Sequence, residues 1–427
     1  MKKVFILGLG ISGKAALRYL QEKGDQVTAH DDKNEPLPNI EHVDFNQFDL
    51  FVPSPGIAHS HPVYQKALAS GIEITSEAEL GLKELQEQIC IGVTGTNGKT
   101  TTVKLIQHLF NQAGLPAKAV GNIGDSLLDY ARVKNPKEIV VAELSSYQIE
   151  TMKSEVLNFG LILNISPNHL DRHASFEEYI QAKCRLEKCL KKEGKLFVHE
   201  QVYSQFGHLF HNRPVTYGTS PVADYSTDKR VVKKKGNVVY FLPEDYEKKG
   251  MHESENALAA YLIAHALKMS PEQFVKGLRT FSKPAHRIEF VAIVEGISYF
   301  NDSKSTNTDA TIKALDAMEG PVILIAGGKD KNIAFAPLKS FKGKIRKILA
   351  IGSNRDKIHE ELKEEFSIEK LVSLEEAVSR AAELAKVGDS VLLSPASSSL
   401  DYYRDYAHRG EEYKRFVHHL EERRKNS

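Results

Sequence analysis

Ten consecutive residues, Gly92-Val93-Thr94-Gly95-Thr96-Asn97-Gly98-Lys99-Thr100-Thr101, carry the chemistry of phosphate binding. A glycine-rich turn between a β-branched strand and an amphipathic helix directs backbone N–H groups at phosphate oxygens. Lys99 adds a positive charge, and the Thr100 hydroxyl is a ligand for Mg²⁺. The run departs from the strict GxxxxGK[ST] form, because Gly92 precedes Gly98 by six positions rather than five. A second glycine turn, Gly8-Leu9-Gly10-Ile11-Ser12-Gly13, has Asp31 downstream and would pass as a dinucleotide fingerprint, which alone is a weak signal. Glu143 and His169 suit metal binding, since Mg²⁺ prefers oxygen ligands and keeps several waters. Histidine is an unusual ligand for that ion, so His169 reads equally well as a satisfied structural residue. Lys183, in AKCRLEK, also fits an ordinary amphipathic helix turn. Asp32 with Lys33, Lys329 with Lys331, and the run Lys233-Lys234-Lys235 all have solvated-turn readings.

The elements that must position these residues alternate between strand and helix. Residues 4–7, 14–23 and 26–30 predict a β-α-β start, and a strand at 89–93 precedes a helix at 100–113. Strands at 138–144 and 159–165, a helix at 176–190 and a strand at 195–199 follow. In RVVKKKGNVVYF two β-branched runs flank KKKGN, a hairpin signal. A helix at 254–268, a strand at 288–294 and strands at 322–326, 347–352 and 391–394 complete the pattern. Such alternation predicts an α/β fold with mainly parallel sheets and helices on both faces. The expected domains are 1–87, 88–283 and 284–427.

At 427 residues the chain is long enough for two to four domains, with 41% hydrophobic and 26% charged residues supplying an ordinary globular core. Lys+Arg 57 against Asp+Glu 56 leaves a net charge of +1, which excludes a global field for nucleic acid or an anionic membrane. Cys90, Cys184 and Cys189 form no CxxC pair and are odd in number, so neither a disulfide framework nor a thiolate zinc site is expected, and a reducing cytoplasm fits. No apolar stretch approaches the roughly 20 residues of a membrane span, and glycines interrupt the apolar run at the N-terminus.

Gly-Thr-Asn-Gly-Lys-Thr-Thr resembles the variant phosphate loop of the Mur ligases and their folylpolyglutamate synthase relatives. Other motifs of that family follow in order: Glu143 in AELSSYQ, His169 in NISPNHLDRH, Lys183 in AKCRLEK, Asn256 in HESENALAA and His286-Arg287 in KPAHRIEF, then FNDSKSTNTDAT, IAGGKDK and LSPASSSLDYY. The resemblance spans essentially the whole chain. It implies three domains: an N-terminal Rossmann-like domain for the UDP-sugar, a central P-loop-type mononucleotide-binding α/β sheet for ATP, and a C-terminal Rossmann-like domain for the amino acid. The activity implied is an ATP-dependent amide ligase, a monomer, that adds D-glutamate to UDP-N-acetylmuramoyl-L-alanine through an acyl phosphate in cytoplasmic peptidoglycan precursor synthesis.

By that resemblance Ile11, Ser12, Asp31, Asp32, Lys33, Ser54 and Gly56 line the UDP pocket, and Asn122 holds the muramoyl part. ATP falls to Gly95, Thr96, Asn97, Gly98, Lys99, Thr100 and Thr101, with Asn256, Arg287 and Asp302 at the adenine and ribose. D-Glutamate falls to Lys304, Thr306, Lys331, Ser399 and Tyr406. Thr100, Glu143, His169 and Lys183, the last as a CO₂-derived carbamate, would hold two Mg²⁺ ions, and Lys99, Glu143, His169 and Lys183 form the catalytic set. The chain departs from the family at Glu253, where an Asn is usual, and at Ser397-Ser398, where Cys-Ala is usual. Three rival readings stand beside this one. An NAD-dependent dehydrogenase explains GLGISG but nothing after residue 92. A sister ligase is the second: the folate enzymes start almost directly at the phosphate loop, and the diamino-acid enzymes carry an Asp-Asn-Pro-Arg segment that this chain lacks, which leaves the L-alanine-adding enzyme. The third is a catalytically dead binding protein of this fold, against which Lys99, Thr100, Glu143, His169 and Lys183 are all retained.

Overall fold

Three β-sheets follow one another along the chain, each presenting its loops at the carboxyl ends of parallel strands. The computed structural model describes residues 1–32, 43–168, 172–173, 175–248, 250–282, 284–318, 320–330 and 333–425. Lys33, His169 and Lys331 lie outside these described residues.

Strands β1 (Lys3–Leu7), β2 (Gln26–His30), β3 (Leu50–Pro53) and β4 (Glu73–Ile74) form a parallel sheet in the order β2-β1-β3-β4. The period-two pleat of β1 sends Val4 and Ile6 to one face, against Ala15 and Ala16 of helix Ile11–Glu22. Phe5 and Leu7 go to the other, against Phe51 and Tyr64. A strand covered on both faces reads as a continuous apolar run, and Val4-Phe5-Ile6-Leu7 is one.

The central sheet has nine strands: β5 (Cys90–Thr94), β6 (Ala117–Gly121), β7 (Ile139–Glu143), β8 (Leu157–Ile162), β9 (Leu190–His199), β10 (Val215–Gly218), β11 (Tyr225–Thr227), β12 (Val231–Lys234) and β13 (Asn237–Phe241). Their order is β13-β12-β11-β10-β9-β8-β5-β7-β6. All neighbours are parallel except β11 with β12 and β12 with β13. The hairpin expected at KKKGN is β12–β13. Its two turn residues, Lys235 (φ 48°) and Gly236 (φ 82°), both take the left-handed conformation that a two-residue I′ turn requires. Because the chain leaves β5 for β6 and β7 on one side and for β8 on the other, the crevice at the end of β5 is a topological switch point, where open α/β sheets bind ligands. The helix expected over 176–190 is shorter: it ends at Cys184, tightens into a 3₁₀ helix at Arg185–Cys189, and gives way to β9 at Leu190, which pairs with Leu157 of β8.

Strands β14 (Glu289–Val294), β15 (Ile297–Asn301), β16 (Val322–Gly327), β17 (Ile345–Ile351), β18 (Ile368–Lys370) and β19 (Ser390–Leu393) form the third sheet, in the order β14-β15-β19-β16-β17-β18. Among the described residues only the β14–β15 pair of this sheet's strands is antiparallel. The chain divides into two compact units, one built on Met1–Ile165 and Arg172–Phe281, the other on the chain from Ser282 onward together with the short run that begins at Ser166. In the first unit, helix Glu77–Glu84 ties the first sheet to the second. A Cβ on Gly81 would stand 2.6 Å from the Leu127 Cβ, so only glycine allows this approach. Glu77 Oε1 accepts from the Leu128 N–H at 2.7 Å. No helix among the described residues is long and apolar enough to cross a membrane.

Candidate active site at the phosphate loop

The loop after β5 is held from outside before it holds anything. Gly98 caps helix Lys99–Gln112 at φ 84° and offers no side-chain cap, so the first-turn N–H groups suit an anion. A Cβ there would meet Asn256 Oδ1 at 2.9 Å, which places Asn256 against the loop, where it also accepts from the Thr102 hydroxyl at 3.3 Å. Asn164 clasps the loop's other side. Its Oδ1 accepts from the Asn97 N–H at 2.8 Å, its Nδ2 donates to the Asn97 carbonyl at 3.0 Å, and its own carbonyl accepts from the Thr96 N–H at 2.9 Å.

Charged groups converge on this loop. Lys99 Nζ donates to the carbonyls of Gly95 at 2.6 Å and Thr96 at 2.9 Å. Glu143, at the end of β7, accepts from the Thr100 hydroxyl at 2.8 Å through one oxygen and from Asn122 Nδ2 at 3.0 Å through the other. Lys183, in the last turn of helix Phe176–Cys184, is 2% exposed. Its Nζ donates to the Gly95 carbonyl at 2.9 Å and lies 4.7 Å from the centre of the Tyr179 ring. The surface-lysine alternative is therefore excluded for Lys183. Burial, then the nearby Lys99 charge, push its pKa well below the ordinary lysine value, against the pull of Glu143. The Tyr179 hydroxyl also pairs with the Thr96 hydroxyl at 3.0 Å.

This donor set fits a Mg²⁺ ion. Two oxygens bound side by side to an octahedral Mg²⁺ at 2.0–2.1 Å stand about 3 Å apart. Thr100 Oγ1 and Glu143 Oε2 already have nearly that separation.

In the first sheet Asp31 Oδ2 accepts from the Leu9 N–H at 2.5 Å, and the Ser54 hydroxyl donates to the Gly8 carbonyl at 2.6 Å. Together they set the glycine turn between β1, β2 and β3. Gly13 packs so tightly under it that a Cβ would stand 1.8 Å from the Gly8 carbonyl. Ile11 is 76% exposed, Ser12 is half-buried and Gly56 is exposed. Asp32 accepts from His30 Nε2 at 2.9 Å and His61 Nε2 at 2.8 Å. Burial alone would raise its pKa, but the bonds from His61 and His30 outweigh it and hold the carboxyl low.

In the second unit Asp302 is buried. It accepts from the Ser394 hydroxyl at 2.7 Å and the Ile288 N–H at 3.2 Å, with Arg287 near enough to favour its charge. Burial still dominates and raises its pKa to about 6. Lys304 Nζ sits 3.6 Å from the centre of the Tyr406 ring. Ser399 is buried, and Thr306 is half-buried.

Comparison with known proteins follows the same division of the chain. Residues 93–264 match the Mur ligase middle domain, and residues 286–397 the Mur ligase glutamate ligase domain. A UDP-N-acetylmuramoylalanine--D-glutamate ligase of Protochlamydia amoebophila is 42% identical over 97% of this chain and 98% of its own length. The chain belongs to the Mur ligase family. Proteins of the same name from Caldanaerobacter subterraneus (38% identical; 97% of this chain, 98% of theirs) and Chlamydia pneumoniae (35%; 98% and 99%) are also similar. Among solved structures, a pseudomurein peptide ligase type C from Methanothermus fervidus shares the fold, with a TM-score of 0.64 at 18% identity over 98% of this chain and 100% of that one. The MurF ligase of Thermotoga maritima, solved in complex with ADP, gives 0.63 at 16% over 90% and 97%. The fold is thus the α/β, three-domain architecture of the Mur ligases. Asn164 and Tyr179, which brace the loop of this Mur ligase, went unnoticed in the sequence. Asn164 opens the run NISPNHLDRH, in which only His169 was singled out, and Tyr179 sits on an amphipathic helix without a spacing signal of its own.

Proposed function

We propose that the chain is an ATP-dependent ligase that joins D-glutamate to UDP-N-acetylmuramoyl-L-alanine, in the cytoplasm and as a monomer. The full-length likeness to relatives of that name supports the substrates. The observation that carries the chemistry is the convergence of Lys99, Thr100, Glu143 and Lys183 at the end of β5. In this reading the γ-phosphoryl group passes to the substrate carboxylate, and the amine of D-glutamate displaces phosphate from the acyl phosphate.

The protein's part is positioning and charge. Lys99, fixed on the loop's carbonyls, exchanges them for phosphate oxygens and neutralises the group in flight. Thr100 and Glu143 hold Mg²⁺, with His169 and a carbamylated Lys183 serving a second ion. When bound, Mg²⁺ draws charge from the phosphate oxygens and makes the phosphorus a better electrophile. Lys183 suits carbamylation because burial favours its neutral amine, which keeps the lone pair. The nitrogen adds to the carbon of CO₂ and releases one proton, leaving an anionic carbamate.

Gly95 to Thr101, Asn256, Arg287 and Asp302 are assigned to ATP. Ile11, Ser12, Asp31, Asp32, Lys33, Ser54, Gly56 and Asn122 are assigned to the UDP-substrate, and Lys304, Thr306, Lys331, Ser399 and Tyr406 to D-glutamate. Domain boundaries near residues 87 and 283 belong to the same proposal. Phosphate release against a panel of amino acids and UDP-sugar acceptors tests it. Turnover should require D-glutamate and UDP-N-acetylmuramoyl-L-alanine together, and equal turnover with another pair would overturn the substrate assignment.

A further inference from the structure

One arginine outside every motif described so far organises the loops of the third sheet. Arg409, in the first turn of helix Tyr406–Lys425, is 1% exposed and heads the fully buried side chains by volume. A cation at a helix N-terminus opposes the helix dipole, and burying one without a carboxylate partner is costly. Among the described residues no carboxylate lies within ion-pair distance of it. Its donors go to oxygens of three loops instead. Nη2 donates to the Ser303 carbonyl at 2.9 Å and the Ser397 carbonyl at 3.1 Å. Nη1 donates to the carbonyls of Gly327 and Ser398, each at 3.4 Å, and Nε to the Ser303 hydroxyl at 3.0 Å. That hydroxyl in turn donates to the Tyr406 carbonyl at 2.8 Å.

These oxygens lie at or just beyond the carboxyl ends of β15, β16 and β19, which are neighbours in the order β15-β19-β16. The backbone is shaped for the contact. A Cβ on Gly328 would stand 2.1 Å from the Ser398 carbonyl and 3.0 Å from Arg409 Nη1. The loops so joined carry Lys304 and Thr306 after β15 and Ser399 after β19, and Tyr406 opens the helix that carries Arg409. We propose that Arg409 is a positioning residue for the amino-acid substrate: its planar guanidinium locks the loops after β15, β16 and β19 in one register, which sets the spacing of Lys304, Thr306, Ser399 and Tyr406. This rests on the assignment of the amino acid to those four residues. Burial lowers the arginine's pKa only to about 10, so the clamp is a cation at neutral pH and its field also favours a dicarboxylate. Lysine cannot replace it, because three donors radiating from one nitrogen do not span three loops.

Steady-state kinetics on Arg409→Lys and Ser303→Ala test the clamp, with KM measured separately for D-glutamate, ATP and UDP-N-acetylmuramoyl-L-alanine. Arg409→Lys should raise the D-glutamate KM tenfold or more while the other two KM values stay within about twofold, since one lost charge-assisted bond is worth roughly that factor. Ser303→Ala, which removes one accepting oxygen and keeps the arginine, should raise it severalfold in the same selective way. It decides the matter if the lysine variant does not fold. An unchanged D-glutamate KM, or three KM values rising in step, overturns the proposal. If the wild-type chain proves to turn over a different amino acid, the substrate reading fails, and the same split in KM for that amino acid still judges the clamp.

Discussion

Lys183 Nζ lies 2.9 Å from the Gly95 carbonyl oxygen, the same oxygen that Lys99 Nζ holds at 2.6 Å. Two ammonium groups on one carbonyl repel, and with burial this favours a neutral, reactive Lys183 amine. Enzyme equilibrated with ¹³C-labelled CO₂ should therefore show a carbamate carbon resonance that Lys183→Ala lacks. Turnover of the variant should fall by about 10²-fold or more, and acetate or formate should restore part of it. Full activity without any added carboxylate would sink the idea.

Lys99 is anchored on its own loop, so its removal should cost catalysis more than structure. Lys99→Ala is expected to lower turnover by about 10²–10³-fold or more while the circular dichroism spectrum stays that of the wild type. A folded variant with near-wild-type phosphate release would contradict the assignment.

Ser399 stands next to the Ser398 carbonyl that Arg409 grips. If its hydroxyl serves a D-glutamate carboxylate, Ser399→Ala should raise the D-glutamate KM by about tenfold and leave the ATP KM within about twofold. Equal effects on both substrates would point to a folding defect.

Glu77 offers a test of stability apart from the chemistry. Burial raises its pKa from 4.5 to about 7, against hydrogen bonds from Leu128 and Ser126. Between those values the folded chain binds more protons than the unfolded one, so this group's contribution to stability falls as pH rises from 4.5 to about 7. Glu77→Gln should flatten that slope. At pH 8, in urea, it should unfold later than wild type, by at most on the order of 3 kcal/mol. A wild-type slope retained in the variant would assign the effect elsewhere.

The phosphate loop was legible because each of its jobs needs a particular residue type: glycine at φ 84°, a cation, a hydroxyl. The α/β alternation was legible because strands buried on both faces read as apolar runs, as Val4 to Leu7 does. The three-residue strands β11 and β18 were missed, having too few residues for a period to declare itself. The burial of Lys183, which sets it apart from an ordinary lysine on an amphipathic helix turn, comes from a loop some ninety positions upstream, and its hydrogen-bond partners Thr94 and Gly95 are invisible to local pattern. Arg409 was unreadable for a related reason. It binds backbone carbonyls, which every residue possesses, so nothing in its partners' identities marks them.

The three cysteines are a built-in clock for the segment that carries Lys183. Cys184 precedes the 3₁₀ turn beyond it and Cys189 ends that turn, Cys90 begins β5, and burial pushes all three thiols up to about 12. Alkylation needs an exposed thiolate, so each must wait for its surroundings to open. The rate at which a thiol reagent marks Cys184 and Cys189, read peptide by peptide in a mass spectrometer, therefore counts openings of this segment. A ligand seated on the phosphate loop should slow that count without touching either sulfur.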